Sequence, residues 1–252
     1  MSGNNNTNWV SDKEINDSGH DTVKMKEKKK KKKKKENIPY EMEVKRKGIH
    51  LLSLLIPIIY SFIAKDTALF ILVPLAIAFV MVDILSKMDS RVGGLINKYF
   101  GKMLRKHEKK KKKIVLNGAS WVLIGAAVTI AVFPKLLAVT AISILIISDI
   151  LAALIGRKFG KTPLMGKSLE GTMAFIVSAM LVVAFIGYLQ SAPWSFYAAG
   201  IVAAIAGGLV EAASKRLNWD DNLSIPMTVG FILWIIGYFA EKAGLGFTYL
   251  MS

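Results

Sequence analysis

"GKTPLMGKSLEGT", Gly160 to Thr172, is the stretch whose reading decides the fold. Read as a phosphate-binding P-loop, G-x-x-x-x-G-K-[ST], it would make the chain a soluble α/β protein, because that loop follows a strand and opens a helix. Gly166-Lys167-Ser168 supplies the end of the pattern, but five residues rather than four separate Gly160 from Gly166. The flanks decide the question. "LAVTAISILIISDILAALIG" precedes the stretch and "TMAFIVSAMLVVAFIGYL" follows it. Each is close to the ~20 apolar residues that a helix needs to cross a bilayer core. The segment is therefore a loop between two membrane spans. It keeps the physics it shares with a P-loop: glycines for close backbone approach, a lysine for phosphate, and a helix N-terminus behind them.

Composition agrees with that reading. The 252 residues are 53% hydrophobic yet carry a formal net charge of +16. Long apolar runs alternate with short, strongly basic ones, as in a multi-span membrane protein. There is no cysteine, which excludes a disulfide scaffold, thiolate metal ligands and a thiol nucleophile. Residues 1–40 are polar and low in complexity, with an unbroken run Lys28–Lys35. Such a segment is expected to be a disordered cytoplasmic tail, with no secretory signal peptide.

Hydropathy predicts an all-α, polytopic catalytic domain over 41–252 with seven transmembrane helices: Gly48–Ala64, Asp66–Leu85, Ile114–Phe133, Lys135–Ile155, Gly171–Leu189, Trp194–Ala213 and Leu223–Ala240. Lys65-Asp66 and Pro134-Lys135 leave room only for tight hairpins. With the N-terminus inside, the inside segments carry 14, 11, 4 and 2 Lys or Arg, and the outside only Lys65, Lys135 and Lys242. Cytoplasmic loops are the basic ones, so the N-terminus is expected in the cytoplasm and the C-terminus outside. The protein is expected in the cell membrane of a prokaryote, or in the endoplasmic reticulum or another endomembrane of a eukaryote.

Ionisable groups in spans are costly and mark function. His50, Asp83, Asn117, Asp149, Glu170 and Glu211, with Asp220, Asp221 and Asn222, all fall towards the cytoplasmic face. Glu43, Arg46, Lys47 and His50 share one face of a helix. Asp149, Glu170, Glu211 and Asp221 are oxygen donors suited to Mg²⁺, which often shares its ligands with substrate phosphates. Arg157, Lys158, Lys161 and Lys167 in one loop, and Arg46 and Lys47 in another, are cations for those phosphates. The combination points to chemistry on a nucleotide with a membrane lipid as second substrate. Several residues also have plain structural readings. Asp83 suits a cap, and Glu211 suits an i+4 pair with Lys215. Ala152, Gly156 and Gly160, spaced by four, suit helix packing. Lys28–Lys35 and Lys109–Lys113 suit anionic lipid headgroups and, lacking interleaved aromatics, do not suit nucleic acid.

The segment Ser148–Thr172, "SDILAALIGRKFGKTPLMGKSLEGT", resembles the core of the CTP-dependent lipid kinases: dolichol kinase, CTP-dependent diacylglycerol kinase and phytol kinase. "EVKRKGIHLL" at 43–52, "MLRKHE" with Arg105 and Glu108, "NGASWVLIGA" from Asn117, and "VEAASKRLNWDDNLSIP" at 210–226 resemble further parts of that family. The likeness runs over about residues 43–240. It is shared more distantly with CDP-diacylglycerol synthase, whose "PGHGG" and "DR" signatures do not occur here.

The resemblance implies transfer of the γ-phosphate of CTP to the hydroxyl of a lipid alcohol: dolichol or another polyprenol, diacylglycerol, or a phytol-like alcohol. It implies Mg²⁺ or another divalent cation, with CTP as co-substrate. Asp149 would be base or metal ligand, and Glu170, Glu211 and Asp221 metal ligands. Lys167 and Arg157 would hold the triphosphate, assisted by Gly160, Gly166, Ser168 and Gly171. Arg46, Lys47 and His50 would orient phosphate or acceptor, and Asn222 would read the base or bind metal. The alternatives are a cytidylyltransferase making a CDP-lipid, and a transporter or scaffold. A transporter would gather its polar groups near the membrane midplane rather than at one face.

Overall fold

The computed structural model describes residues 40–88, 94 and 116–247. The tail to residue 39, the "MLRKHE" segment with Arg105 and Glu108, the run Lys109–Lys113 and the side chain of Lys215 lie outside the described residues.

Eight α-helices are described: α1 Tyr40–Leu51, α2 Leu55–Phe62, α3 Lys65–Met88, α4 Gly118–Val132, α5 Lys135–Phe159, α6 Leu169–Leu189, α7 Trp194–Leu217 and α8 Asp221–Lys242. Five of them, α3 and α5 to α8, are long and apolar enough to cross a membrane. Their bounds match five predicted spans to within a few residues, and α5 runs on past Ile155 to Phe159. The predicted hairpins are present: only Ile63 and Ala64 separate α2 from α3, and Phe133 and Pro134 separate α4 from α5.

Two predicted spans differ. The first is divided into α1, a 3₁₀ turn over Leu52–Leu54, and α2. Pro57, in the first turns of α2, has no N–H to return to the carbonyl of Ser53, which favours a tightened, interrupted helix there. The third is the 15-residue helix α4, shorter than the crossing length. Asn117 caps it, its side chain accepting from the amides of Ala119 and Ser120.

Large apolar side chains face outward: Phe62, Phe70, Leu181, Phe185 and Phe239 are all more than 60% exposed. In water such a surface would associate; against lipid tails it is at home. The inside is lined instead by small residues and branched aliphatics. Ala126, Ala138, Ala141, Ala179, Ala199, Ala203 and Ala204 are fully buried, and so are Ile130, Ile142, Ile144 and Val229. With lipid outside, helices associate through close packing of such small residues rather than by escape from water. Helix α5 is the centre, packing against α6, α8, α2 and α1.

Helices α4 and α8 approach closely at Gly125. Pro226 inside α8 leaves the carbonyl of Asn222 without its helical donor. That carbonyl sits against Gly125, where an added Cβ would overlap the oxygen. Gly125→Ala is therefore expected to force α4 off α8. A loss of about 1–3 kcal/mol, the usual cost of overpacking, should appear as a lower midpoint in thermal unfolding of the detergent-solubilised protein.

Candidate active site

The near-P-loop stretch is a β-hairpin. Pro163–Leu164 (β1) pairs antiparallel with Lys167–Ser168 (β2), with Pro163 opposite Ser168 and Leu164 opposite Lys167. Met165 and Gly166 form the two-residue loop with φ of 44° and 104°. Positive φ at both positions is what a type I′ hairpin turn requires. The glycine takes it freely, and Met165 is held there by the pairing on either side.

The other glycines pack. An added Cβ on Gly156, Gly160 or Gly171 would meet Ser168 Oγ at 2.9, 2.6 and 3.1 Å. Ser168 is the N-cap of α6 and accepts from the Gly171 amide at 3.2 Å. The hairpin thus lies tightly on the α5–α6 crossing. Its amides are already engaged: Leu169 N–H donates to Thr162 O at 2.9 Å, while Lys161 and Thr162 N–H donate to Glu170 Oε1, each at 3.0 Å. Gly160, Ser168 and Gly171 therefore build the loop that presents Lys167, and the expected anion-binding amides around Gly166–Gly171 are spent partly on closing that loop.

Lys167 is the centre of the site. Its Nζ donates to Glu211 Oε1 at 2.6 Å and to Asp221 Oδ2 at 3.0 Å, joining the hairpin to α7 and α8. Burial disfavours its charge, but the Asp221 and Glu211 carboxylates, with Asp149, outweigh that and hold its pKa above the ordinary lysine value. A second cluster ties α1 to α5. Lys47 Nζ donates to Asp149 Oδ2, and His50 Nε2 lies 3.9 Å from the same oxygen. Lys47 and Asp149 are both more than 90% buried. One turn back on α1, Glu43 pairs with Arg157 at 3.3 Å. Arg46 reaches towards the start of α4, its guanidinium 3.2 Å from where a Gly118 Cβ would lie.

The structure thus brings together Lys47, His50 and Asp149 in one cluster and Lys167, Glu211 and Asp221 in another. It does not gather the four expected metal-ligating carboxylates. Among the described residues no three His, Cys, Asp or Glu converge on a common point. Glu170 is committed to the loop amides of Lys161 and Thr162, because the hairpin turns the chain back over the start of α6. Arg157 is engaged by Glu43 rather than standing open to phosphate. Asn222 donates through Nδ2 to the cap residue Asp220 at 2.9 Å. Asp83 accepts from the Asn117 amide (2.8 Å), Asn117 Nδ2 (2.5 Å) and Ser120 Oγ (2.6 Å); it is not itself a cap but holds the cap residue Asn117 and fastens α3 to the start of α4.

The sequence puts Glu43 on the helix face of Lys47 and His50 but gives it no role. Its signal is the i, i+4, i+7 spacing, which the Arg157 pair explains. The two carboxylates around Lys167 also carry a feature invisible in the sequence. Glu211 Oε2 and Asp221 Oδ1 are buried and have no hydrogen-bond partner. Buried acceptors are normally satisfied, and free carboxylate oxygens beside a cation suit a hard metal ion with phosphate oxygens completing its shell. The residues present therefore fit Mg²⁺ held by Glu211 and Asp221.

Removing one member of a buried ion pair strands the other charge. Lys47→Met is expected to cost about 3 kcal/mol of stability on that ground. Adding Asp149→Asn should recover part of the loss, as a double-mutant cycle of thermal unfolding would record.

No protein-family model and no solved structure matches the chain. Curated proteins do. It is 32% identical over 193 residues to an uncharacterized protein of Rickettsia prowazekii, covering 75% of this chain and 92% of that one. It is 30% identical over 153 residues to CTP-dependent diacylglycerol kinase 1 of Schizosaccharomyces pombe, covering 56% of this chain and 68% of that one. It is also 30% identical over 201 residues to CTP-dependent diacylglycerol kinase 1 of Saccharomyces cerevisiae, covering 72% and 63%.

Proposed function

The chain belongs to the CTP-dependent lipid kinase family, and from that premise we propose that it transfers the γ-phosphate of CTP to the hydroxyl of a membrane lipid alcohol. That it is an integral membrane lipid kinase follows from the relatives and the apolar helices together. The named relatives support CTP as donor and diacylglycerol as acceptor. Dolichol, shorter polyprenols and phytol-like alcohols are the other acceptors to compare.

The observation that carries the reading is the Lys167 cluster, in which a half-buried cation is shared by two carboxylates that each keep a buried, unpartnered oxygen. Phosphoryl transfer is mostly positioning and charge neutralisation. Lys167 binds the triphosphate. Glu211 and Asp221 hold the divalent cation, which when bound neutralises charge on the phosphates. Asp149 receives the proton of the lipid hydroxyl, and Lys47 and His50 keep its carboxylate in place until it does. Lys47 releases that carboxylate by turning to incoming phosphate. Glu170 acts by positioning: it shapes the loop that presents Lys167. The distribution of Lys and Arg supports a cytoplasmic site, where CTP arrives from water and the acceptor from the bilayer. On the same reading α1–α2 and α4 complete a seven-span domain with the C-terminus outside.

Membranes carrying the protein, given CTP labelled in the γ-phosphate and a panel of lipid alcohols, should yield labelled lipid phosphate and free CDP. Release of pyrophosphate instead would identify a cytidylyltransferase. Asp149→Asn strands the buried Lys47 charge and should lower stability, but the variant that still inserts and folds should have lost transfer, and full activity in it would remove Asp149 from the mechanism. Lys167→Ala should mainly raise the CTP concentration needed for half-maximal rate.

A further inference from the structure

The position of Lys167 constrains the order in which the site fills, if the site transfers phosphoryl groups as proposed. An ammonium is a compact point charge on a flexible four-carbon stem. Here it lies between Glu211 and Asp221, at 2.6 and 3.0 Å, where a divalent cation shared by the two carboxylates would have to sit. It satisfies one oxygen of each and leaves Glu211 Oε2 and Asp221 Oδ1 buried without partners. The Glu211 side chain is 4% exposed, so bulk solvent does not reach it. A single charge thus fills the position of an ion that would bring two charges and take more oxygens.

We infer that Lys167 is a placeholder for the divalent cation: it occupies the position between Glu211 and Asp221 while the site lacks nucleotide, and must swing off before metal can bind there. The lysine is free to do so because its backbone is pinned independently of its side chain, by the β1–β2 pairing and by Ser168 against the α5–α6 crossing. Nucleotide phosphate is the natural competitor that draws it away. Metal and triphosphate should then bind cooperatively, with metal alone binding weakly. Lys167 in this respect is a positioning residue as well as a phosphate ligand, because its departure sets when Glu211 and Asp221 become available.

The test uses the full chain in detergent and Mn²⁺ alone as probe, with bound Mn²⁺ read from the loss of the free-ion EPR signal. Lys167→Met should bind Mn²⁺ more tightly than wild type without any nucleotide, by about tenfold, a typical coupling between competing occupants of one site. Adding Glu211→Gln to that variant should remove the gain. Mn²⁺ affinity in Lys167→Met equal to or below that of wild type overturns the proposal. Lys167→Gln, which keeps a hydrogen-bond donor between the carboxylates, carries the same expectation and serves if Lys167→Met does not fold. Since neither arm contains nucleotide, the result is independent of the donor. Binding of labelled CTP to wild type with Mn²⁺ tests the kinase reading separately, and its failure leaves the metal result standing.

Discussion

A charge inside a membrane protein must have a partner, and that constraint organises this molecule. One end of the bundle holds Glu43, Lys47, Asp149, Lys167 and Glu211, most of them nearly inaccessible. Each is matched across elements rather than along one helix. Lys47 joins α1 to α5, Arg157 joins α5 back to α1, and Lys167 joins the hairpin to α7 and α8. The two clusters are electrostatically linked, since Asp149 feels both Lys47 and Lys167. Desolvation of these groups is tolerable only while the pairs are intact. The same pairs that hold these elements in register therefore hold the site in register.

Packing makes that pairing possible. Lys167 reaches two helices that follow it in sequence only because the hairpin sits directly on the α5–α6 crossing. It sits there because Gly156, Gly160 and Gly171 have no side chains to keep Ser168 away. Glycine in a helix is unfavourable by propensity, by about 1 kcal/mol; here close approach compensates. The α4–α8 packing works in the same way from the other side. Pro226 frees a carbonyl, Gly125 leaves room for it, and the start of α8 with Asp221 is brought into place.

Much of this is legible in the sequence, for identifiable reasons. Hydropathy suffices for α3 and α5–α8, because each is an apolar run near the length of the bilayer core. It fails at α1–α2, where Pro57 breaks a run that composition alone treats as continuous. It starts the third span at Ile114, whereas the described helix α4 begins at Gly118 behind the Asn117 cap. The convergence of polar groups on one end is readable from their order along the chain. Their pairing is not. Asp149, Glu170, Glu211 and Asp221 look equivalent as carboxylates in loops and span ends. Which of them faces Lys167 depends on a hairpin that the string "TPLMGKS" conceals, since only Gly166 advertises positive φ and Met165 does not. Glu170 reads as a metal ligand because it is near Lys167 in sequence; the turn that brings Lys167 to Glu211 is the same turn that leaves Glu170 behind on the loop amides.

Pairing that is good for folding would oppose the binding proposed for this site, and the arrangement of the two clusters limits that opposition. If nucleotide and metal had to enter an uncharged cavity, the desolvation of both would oppose binding. If they had to enter a site whose charges were fully satisfied, every new bond would require an equal one to break. Here the bonds to be broken are fewer than those to be made. Glu211 and Asp221 each keep an unpartnered oxygen, and His50 Nε2 is buried beside Asp149 at a distance too long for a hydrogen bond. On the proposed reading, exchange of an ammonium for a metal, and of a carboxylate for a phosphate, forms bonds that the present arrangement lacks. The exchange also conserves charge type at each position, so the surrounding helices need not move to accommodate it. In the proposed reaction this is why a rigid bundle can serve: only the long side chains of Lys167 and Lys47 have to change partners, while the backbone that carries them stays where the glycines put it.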